Sequence, residues 1–290
     1  MTWAGMPGGA TLTVPRPAER RYTAAEVVVE RGAGGQPLQA KRGDDGRVHV
    51  THGFDSGSLD DDLAEVLAGA LTGVTTDHGI FTRAFTGVVS TSDPDPDNAW
   101  LRFYRNTLAR ADDRGRAGYG RVHRRAVALL EGRGSVLDLG CSFGFLSLLL
   151  ARSGTRCVAA DVDPGVLRLL ATISGAMRVP VSPVLIEPGE LPLAARSVDA
   201  VAMLHVLEHG HAEAGVALLG QALRVARRRV VIAVPYETRP TALFGHRRTL
   251  DRAGLLALGA RTGWCHRVED WCGGWLILDR PAGNGAAACG

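Results

Sequence analysis

The chain has 290 residues, a net charge of +3 and a hydrophobic share of 46%. That length holds one large domain or a domain with an extension, and that hydrophobic share is ample for a buried core. The small net charge gives no argument for a nucleic-acid partner, and no apolar run reaches membrane-spanning length.

Residues 1–20 are rich in glycine and proline and read as disordered. The stretch Met1 to Pro17 lacks the charged-then-apolar layout of a secretory signal. The five cysteines show no pairing pattern, so reduced thiols in the cytoplasm are the expectation. Residues 21–115 read as an N-terminal extension. Glu26–Glu30 and Arg47–Thr51 have strand character with glycines between them, which predicts a small hairpin or meander. A helix opens at Leu59–Leu63, with acids in its first turn and an apolar stripe of Leu63, Val66, Leu67 and Leu71. Ser92–Asp97 reads as a break and linker, and Trp100–Arg110 as a helix. Residues 116–281 form the main domain in this reading, followed by a low-complexity tail, 282–290.

Within the main domain, Arg121–Leu130 is helical in pattern. Val136–Leu139 is an apolar run containing Asp138, followed by glycines at Gly140 and Gly144 and an apolar helix-length segment, Phe145–Ala151. This is strand, tight turn, helix, the opening unit of a nucleotide-binding α/β domain. Asp161 ends the next apolar run, where an acid commonly binds ribose hydroxyls. The glycine spacing is not that of a dinucleotide site, and a carboxylate just before Gly140 is a poor neighbour for pyrophosphate. It suits a ligand carrying an ammonium or a sulfonium.

This pattern resembles motif I of class I S-adenosylmethionine-dependent methyltransferases, with Ser142 where a glycine usually stands. Ala160–Pro164, Ile186–Pro192, Ser197–His209 and Arg229–Pro235 resemble the later motifs in order. The resemblance covers about residues 117 to 281. It implies an α/β, Rossmann-like fold with a mostly parallel seven-stranded sheet flanked by helices, beside a smaller N-terminal α+β extension. It implies S-adenosylmethionine as cofactor and S-adenosylhomocysteine as product. The donor-binding residues it implies are Asp138, Gly140, Cys141, Ser142, Gly144, Asp161, Val162, Glu187 and Leu204, with Asp161 on the ribose and Glu187 on the adenine amino group. Asp199 reads as a residue that orients its strand rather than one that touches ligand.

Methyl transfer from a sulfonium is an in-line displacement by a donor that is already activated, so positioning supplies much of the rate. A hydroxyl acceptor must still lose its proton, which calls for a base near the methyl group. Ser197–His209 reads as the fourth strand and the turn after it, and that turn offers His205, Glu208, His209 and His211. His209 is the expected base, with Glu208 next and His205 after it; packing or capping by His209 is the structural alternative. His246, Tyr236, Glu237 and Arg248 are expected on the acceptor side. Cys265, His266 and Cys272 lack zinc-ligand spacing, so no metal is expected there. Trp264, Trp271 and Trp275 read as core rather than as a sugar platform.

The Asn/Asp-Pro-Pro-Tyr/Phe signature of amine methylation is missing from the turn, and no RNA-binding module is recognisable. A small-molecule hydroxyl is therefore the expected target, and the narrower resemblance given below implies that it is on a glycosylated acceptor. The alternatives are a tRNA or rRNA methyltransferase and a non-catalytic S-adenosylmethionine-binding module. The chain's layout, with Cys141-Ser142-Phe143-Gly144 and Gly273–Pro281, is also similar to the methyltransferase family of the actinobacterial mycofactocin pathway. That narrower resemblance implies a glucose of the mycofactocin oligosaccharide as acceptor.

Overall fold

The computed structural model describes residues 20–112, 119–187 and 189–281. The expectations for residues 1–19 and for the tail 282–290 lie outside the described residues, as does the expected boundary at 115/116. The described residues up to Arg124, with Ala242–Gly245, make one compact unit. Arg125–Thr241 and the described residues from His246 onward make the other.

The first unit contains a four-stranded sheet of β1 (Arg21–Ala24), β2 (Val27–Arg31), β3 (Gln39–Arg42) and β4 (Val48–His52), in the order β1-β2-β4-β3. β2 and β4 pair in parallel, which replaces the expected hairpin or meander. The reason is burial: Val27, Val28 and Val29 are all inside, so β2 is covered on both faces and takes a central place. Three helices accompany this sheet, α1 (Leu63–Leu71), α2 (His78–Thr91) and α3 (Pro96–Asp112). Leu63, Leu67 and Leu71 of α1 are buried, whereas Val66 of the expected stripe is 48% exposed.

Helix α2 has no counterpart in the sequence reading. Its threonines are tolerated because their hydroxyls donate back along the helix, Thr82 to the His78 carbonyl and Thr86 to the Thr82 carbonyl, both at 2.9 Å. The Asp77 side chain caps it by accepting from Ile80 N at 2.8 Å. Gly87 lets the helix press onto β2, since a Cβ there would meet Val29 Cγ2 at 2.4 Å. In place of the linker expected over Ser92–Asp97, residues 92–95 make a tight turn and α3 begins at Pro96. Asp93 Oδ2 fixes the turn by accepting from Ser56 Oγ and Asn98 Nδ2, each at 2.8 Å.

Helix α4 (Tyr119–Leu130) leads into the second unit. There β5 (Ser135–Leu139), β6 (Arg156–Asp161), β7 (Val181–Leu185), β8 (Val198–Leu204), β9 (Ala226–Val234), β10 (Cys265–Asp270) and β11 (Gly274–Asp279) form one sheet. Its order is β10-β11-β9-β8-β5-β6-β7. The pairs among β5 to β9 are parallel, and β11 runs antiparallel to both β9 and β10. This is the mostly parallel seven-stranded sheet expected. Helices α5 (Phe145–Arg152), α6 (Pro164–Met177), α7 (Ala212–Val225) and α8 (Arg252–Ala260) connect the strands. The strand order reverses at β5, between β6 and β8, so a crevice opens at the carboxyl ends of these strands. Asp199 bridges two strand starts by accepting from Ser135 N and Oγ. Trp275 is fully buried and Arg125 stacks on it and on Trp271, so these rings belong to the packing. Cys265 is disulfide-bonded, contrary to the expectation of thiols throughout, whereas Cys141, Cys157 and Cys272 are free. Among the described residues no helix is long and apolar enough to cross a membrane.

Candidate active site

The crevice is an open pocket of about 190 Å³ lined by Leu139, Gly140, Asp161, Val162, Glu187 and His209, with the start of α7 closing one side. Of the residues expected to hold a donor, Gly140, Asp161, Val162 and Glu187 line it. Asp138, Cys141, Ser142, Gly144 and Leu204 do not. They lie in the strand and turn that shape the pocket floor.

The turn after β5 is built on left-handed backbone. Gly140 has φ +75° and Gly144 +73°, and a Cβ on Gly140 would sit 2.7 Å from Val206 Cγ2. Ser142 adopts φ +50°, in the same region, which shows why a glycine suits this position. Its Oγ is buried with no hydrogen-bond partner among the described residues. Its amide is held, because Ser142 N donates to Asp161 Oδ2 at 2.8 Å. Asp161 Oδ1 accepts from Asp163 N at 3.0 Å. One carboxylate therefore fixes both the glycine turn and the entry to α6 while also facing the pocket. Burial pushes the Asp161 carboxyl up, against those two hydrogen bonds.

Asp138 is buried under the turn. Its Oδ2 accepts from Ser147 Oγ of α5 at 2.7 Å. Burial raises its pKa to about 6, the Ser147 bond opposing and the nearby Asp161 charge adding to the rise. Ser147 was not singled out in the sequence; its polarity inside the apolar run of α5 is the signal that could have found it. Glu187 is exposed on the loop after β7, bridged to Glu190. Val206, Leu207, Gly210, Gly215 and Leu218 also line the pocket and were likewise not singled out. Gly215, a glycine inside a helix, carried the only local hint.

The turn after β8 brings the expected catalytic residues together. His205 has φ +55°, a conformation that costs a non-glycine residue about 1–3 kcal/mol. Leu207–His209 then form a single 3-10 turn. Glu208 is 1% exposed, with Oε1 3.3 Å from His205 Nδ1 and 4.0 Å from His246 Nε2. Glu208 Oε2 has no hydrogen-bond partner among the described residues. Burial pushes the Glu208 carboxyl up, but His205 and His209 outweigh it and the net shift is downward. The rings of His209 and His246 meet edge to face, 5.0 Å between centroids.

His246 Nδ1 lies 2.8 Å from Glu237 Oε2, and Glu237 Oε1 accepts from Thr241 Oγ1 at 2.7 Å. A carboxylate only accepts, so His246 Nδ1 carries the proton in that bond and Nε2 is the end turned toward Glu208. Arg248 braces the turn by donating from Nε to the Leu207 carbonyl at 2.8 Å. Tyr236 stands apart from this group. Its hydroxyl donates to Asp270 Oδ1 at 2.7 Å, and burial with that bond raises its pKa to about 12. Within the cluster it is His209 that lines the pocket; Glu208 does not, so its closeness in sequence to His209 does not put it in reach of a ligand there.

Residues 136–229 match a family described as a methyltransferase domain. Over 102 residues the chain is 35% identical to the ubiquinone biosynthesis O-methyltransferase of Rhizobium etli (strain CIAT 652), covering 35% of this chain and 40% of that protein. The chain thus spans less than half the length of this curated relative. A crystal structure of magnesium protoporphyrin IX methyltransferase from Synechocystis PCC 6803 with bound SAM is 18% identical, covering 64% of this chain and 84% of that one at a TM-score of 0.45. A SAM-dependent methyltransferase from Aquifex aeolicus is 17% identical, covering 59% of this chain and 95% of that one at a TM-score of 0.46.

Proposed function

We propose that this chain, whose residues 136–229 match a methyltransferase-domain family, is a class I S-adenosylmethionine-dependent methyltransferase that moves the methyl group of S-adenosylmethionine to a hydroxyl of a small molecule. The observation that carries the reading is the placing of two chemistries on one crevice. Asp161 and Glu187 line the pocket on the β6–β7 side, and His209 lines it from the turn after β8. Asp161 accepts the ribose hydroxyls, Glu187 the adenine amino group, and the left-handed turn at Gly140 lets the donor approach the backbone. Asp138 sits beneath that turn as fixed negative charge toward the ammonium of the donor.

The acceptor oxygen attacks the methyl carbon as the carbon–sulfur bond breaks, leaving S-adenosylhomocysteine and releasing the hydroxyl proton. Activation of that hydroxyl falls to the His205–Glu208–His209–His246 group, with His209 nearest the acceptor. Glu208 acts on the acceptor through the histidines it holds. The name of the curated relative, an O-methyltransferase, supports an oxygen acceptor. The acceptor we propose is a sugar hydroxyl of a glycosylated small molecule, on the resemblance to the mycofactocin methyltransferases. The test uses S-adenosylmethionine with a deuterated methyl group, the purified chain and a small-molecule extract, read by mass spectrometry. Label on a hexose-bearing product is the expected result. Label on RNA, or no label despite donor binding, would overturn it.

A further inference from the structure

We infer that Glu208, His209 and His246 form a binding site for one divalent transition-metal ion, which activates the acceptor hydroxyl. The inference rests on the O-methyltransferase reading and deepens it, since His209 then serves as a ligand rather than as the base. One ligand atom from each of the three residues lies within 4.8 Å of the other two. Two ligands about 2.1 Å from a metal at a tetrahedral angle lie about 3.4 Å apart, so small side-chain rotations close the set. Two imidazoles and one carboxylate suit zinc, iron(II), cobalt(II) or manganese(II), with positions left open for a water or a substrate oxygen.

Two further observations point the same way. The first is the second shell of His246. Glu237 accepts its Nδ1 proton and is itself held by Thr241, the carboxylate–histidine arrangement that orients metal-bound imidazoles. The other ring nitrogen, Nε2, faces Glu208 Oε1 at 4.0 Å. The second is Glu208 itself, a carboxylate 1% exposed whose Oε2 has no hydrogen-bond partner among the described residues. Such a buried acceptor is costly unless something cationic satisfies it.

The chemistry balances without a further reactant. The acceptor hydroxyl takes an open position on the ion, the ion's charge weakens its O–H bond, and the proton leaves to water. The oxygen lone pair then forms the carbon–oxygen bond as the carbon–sulfur bond breaks, its electrons staying on sulfur.

The experiment titrates chelator-stripped full-length protein with Co2+, reading visible absorption and bound metal by mass spectrometry. The same samples are titrated with S-adenosylhomocysteine. The expected result is about one Co2+ per chain with ligand-field bands, lost in His246→Ala and weakened roughly 10- to 100-fold in Glu237→Gln. His211→Ala, an exposed neighbour outside the group, should bind as wild type. Binding well below one equivalent, or binding that survives His246→Ala, overturns the inference. Should His246→Ala fail to fold, as judged by lost S-adenosylhomocysteine binding, the Glu237→Gln affinity decides, and an unweakened value refutes. Failure of the wild-type protein to bind S-adenosylhomocysteine is a separate outcome that sinks the methyltransferase reading itself.

Discussion

Asp161→Ala should damage stability and donor binding together, by separable amounts. In the folded chain Asp161 Oδ2 accepts from Ser142 N and Oδ1 from Asp163 N, at 2.8 and 3.0 Å, with the residue 1% exposed. Truncation orphans two buried amides, each worth about 1–3 kcal/mol, and water entering from the adjoining pocket brings the sum toward the low end, about 2–3 kcal/mol. For a domain of this size that is a fall in Tm of roughly 5–10 °C. Binding loses two ribose hydrogen bonds to a charged acceptor, about 1.5–3 kcal/mol each before water replaces them, so the Kd for S-adenosylhomocysteine should rise at least about tenfold. Differential scanning calorimetry gives the first quantity, and isothermal titration at a temperature well below the variant's Tm gives the second. A lowered Tm with an unchanged Kd would refute the ribose role and leave Asp161 purely structural. An unchanged Tm would refute the claim that these two amide bonds hold the glycine turn and the entry to α6.

Three other outcomes follow from the same geometry. His209→Ala should lower turnover at least about a hundredfold while leaving S-adenosylhomocysteine affinity within a few-fold; wild-type turnover would remove His209 from the chemistry. Gly140→Ala, with a Cβ forced to 2.7 Å from Val206 Cγ2 at φ +75°, should cost about 2 kcal/mol or more, whereas Ser142→Gly should be neutral or stabilising by up to about 1 kcal/mol, both read by urea unfolding. His52 is fully buried and neutral, with Nδ1 accepting from Phe54 N and Nε2 donating to Thr91 Oγ1, and burial lowers its pKa to about 4. The unfolded chain binds that proton near pH 6.5 and the folded chain does not, so about 3 kcal/mol of stability should be lost as pH falls from about 6.5 to 4. His52→Gln should flatten that slope relative to wild type, and an equal slope in both would refute the assignment.

The glycine turn was legible because its requirement is local. Positive φ at Gly140 and Gly144 and an acid closing the next strand leave marks at fixed spacing. The double duty of Asp161 was not, because its bond to the Ser142 amide is made across strands. Helix α2 escaped because threonine, at 82, 86 and 91, favours strands over helices, and only the hydroxyl bonds back along the helix make these residues fit. The parallel β2–β4 pair left no local mark either, since register across a crossover is set by burial of Val27–Val29 on both faces. His205, Glu208 and His209 stand together in the sequence, but the pairing of His246 with Glu237 and its approach to Glu208 needed the folded loop after β9.

Charge balance at that group bears on how the hydroxyl is activated. Among the buried and half-buried groups, Glu208 and Glu237 contribute two negative charges and Arg248, beside Glu208, one positive, while Glu213, which also acts on Arg248, is exposed and screened by solvent. One negative charge is left for the histidines, or for an ion among them, to offset. A single imidazolium makes the group neutral, and a neutral group offers a developing alkoxide no net attraction. A divalent ion leaves one positive charge in surplus, beside a pocket where the acceptor oxygen must lose its proton. Preorganised charge of that sign is what stabilises a developing oxyanion. On this balance the buried Glu208 acts as a ligand that holds the ion in place, and not as a base in its own right.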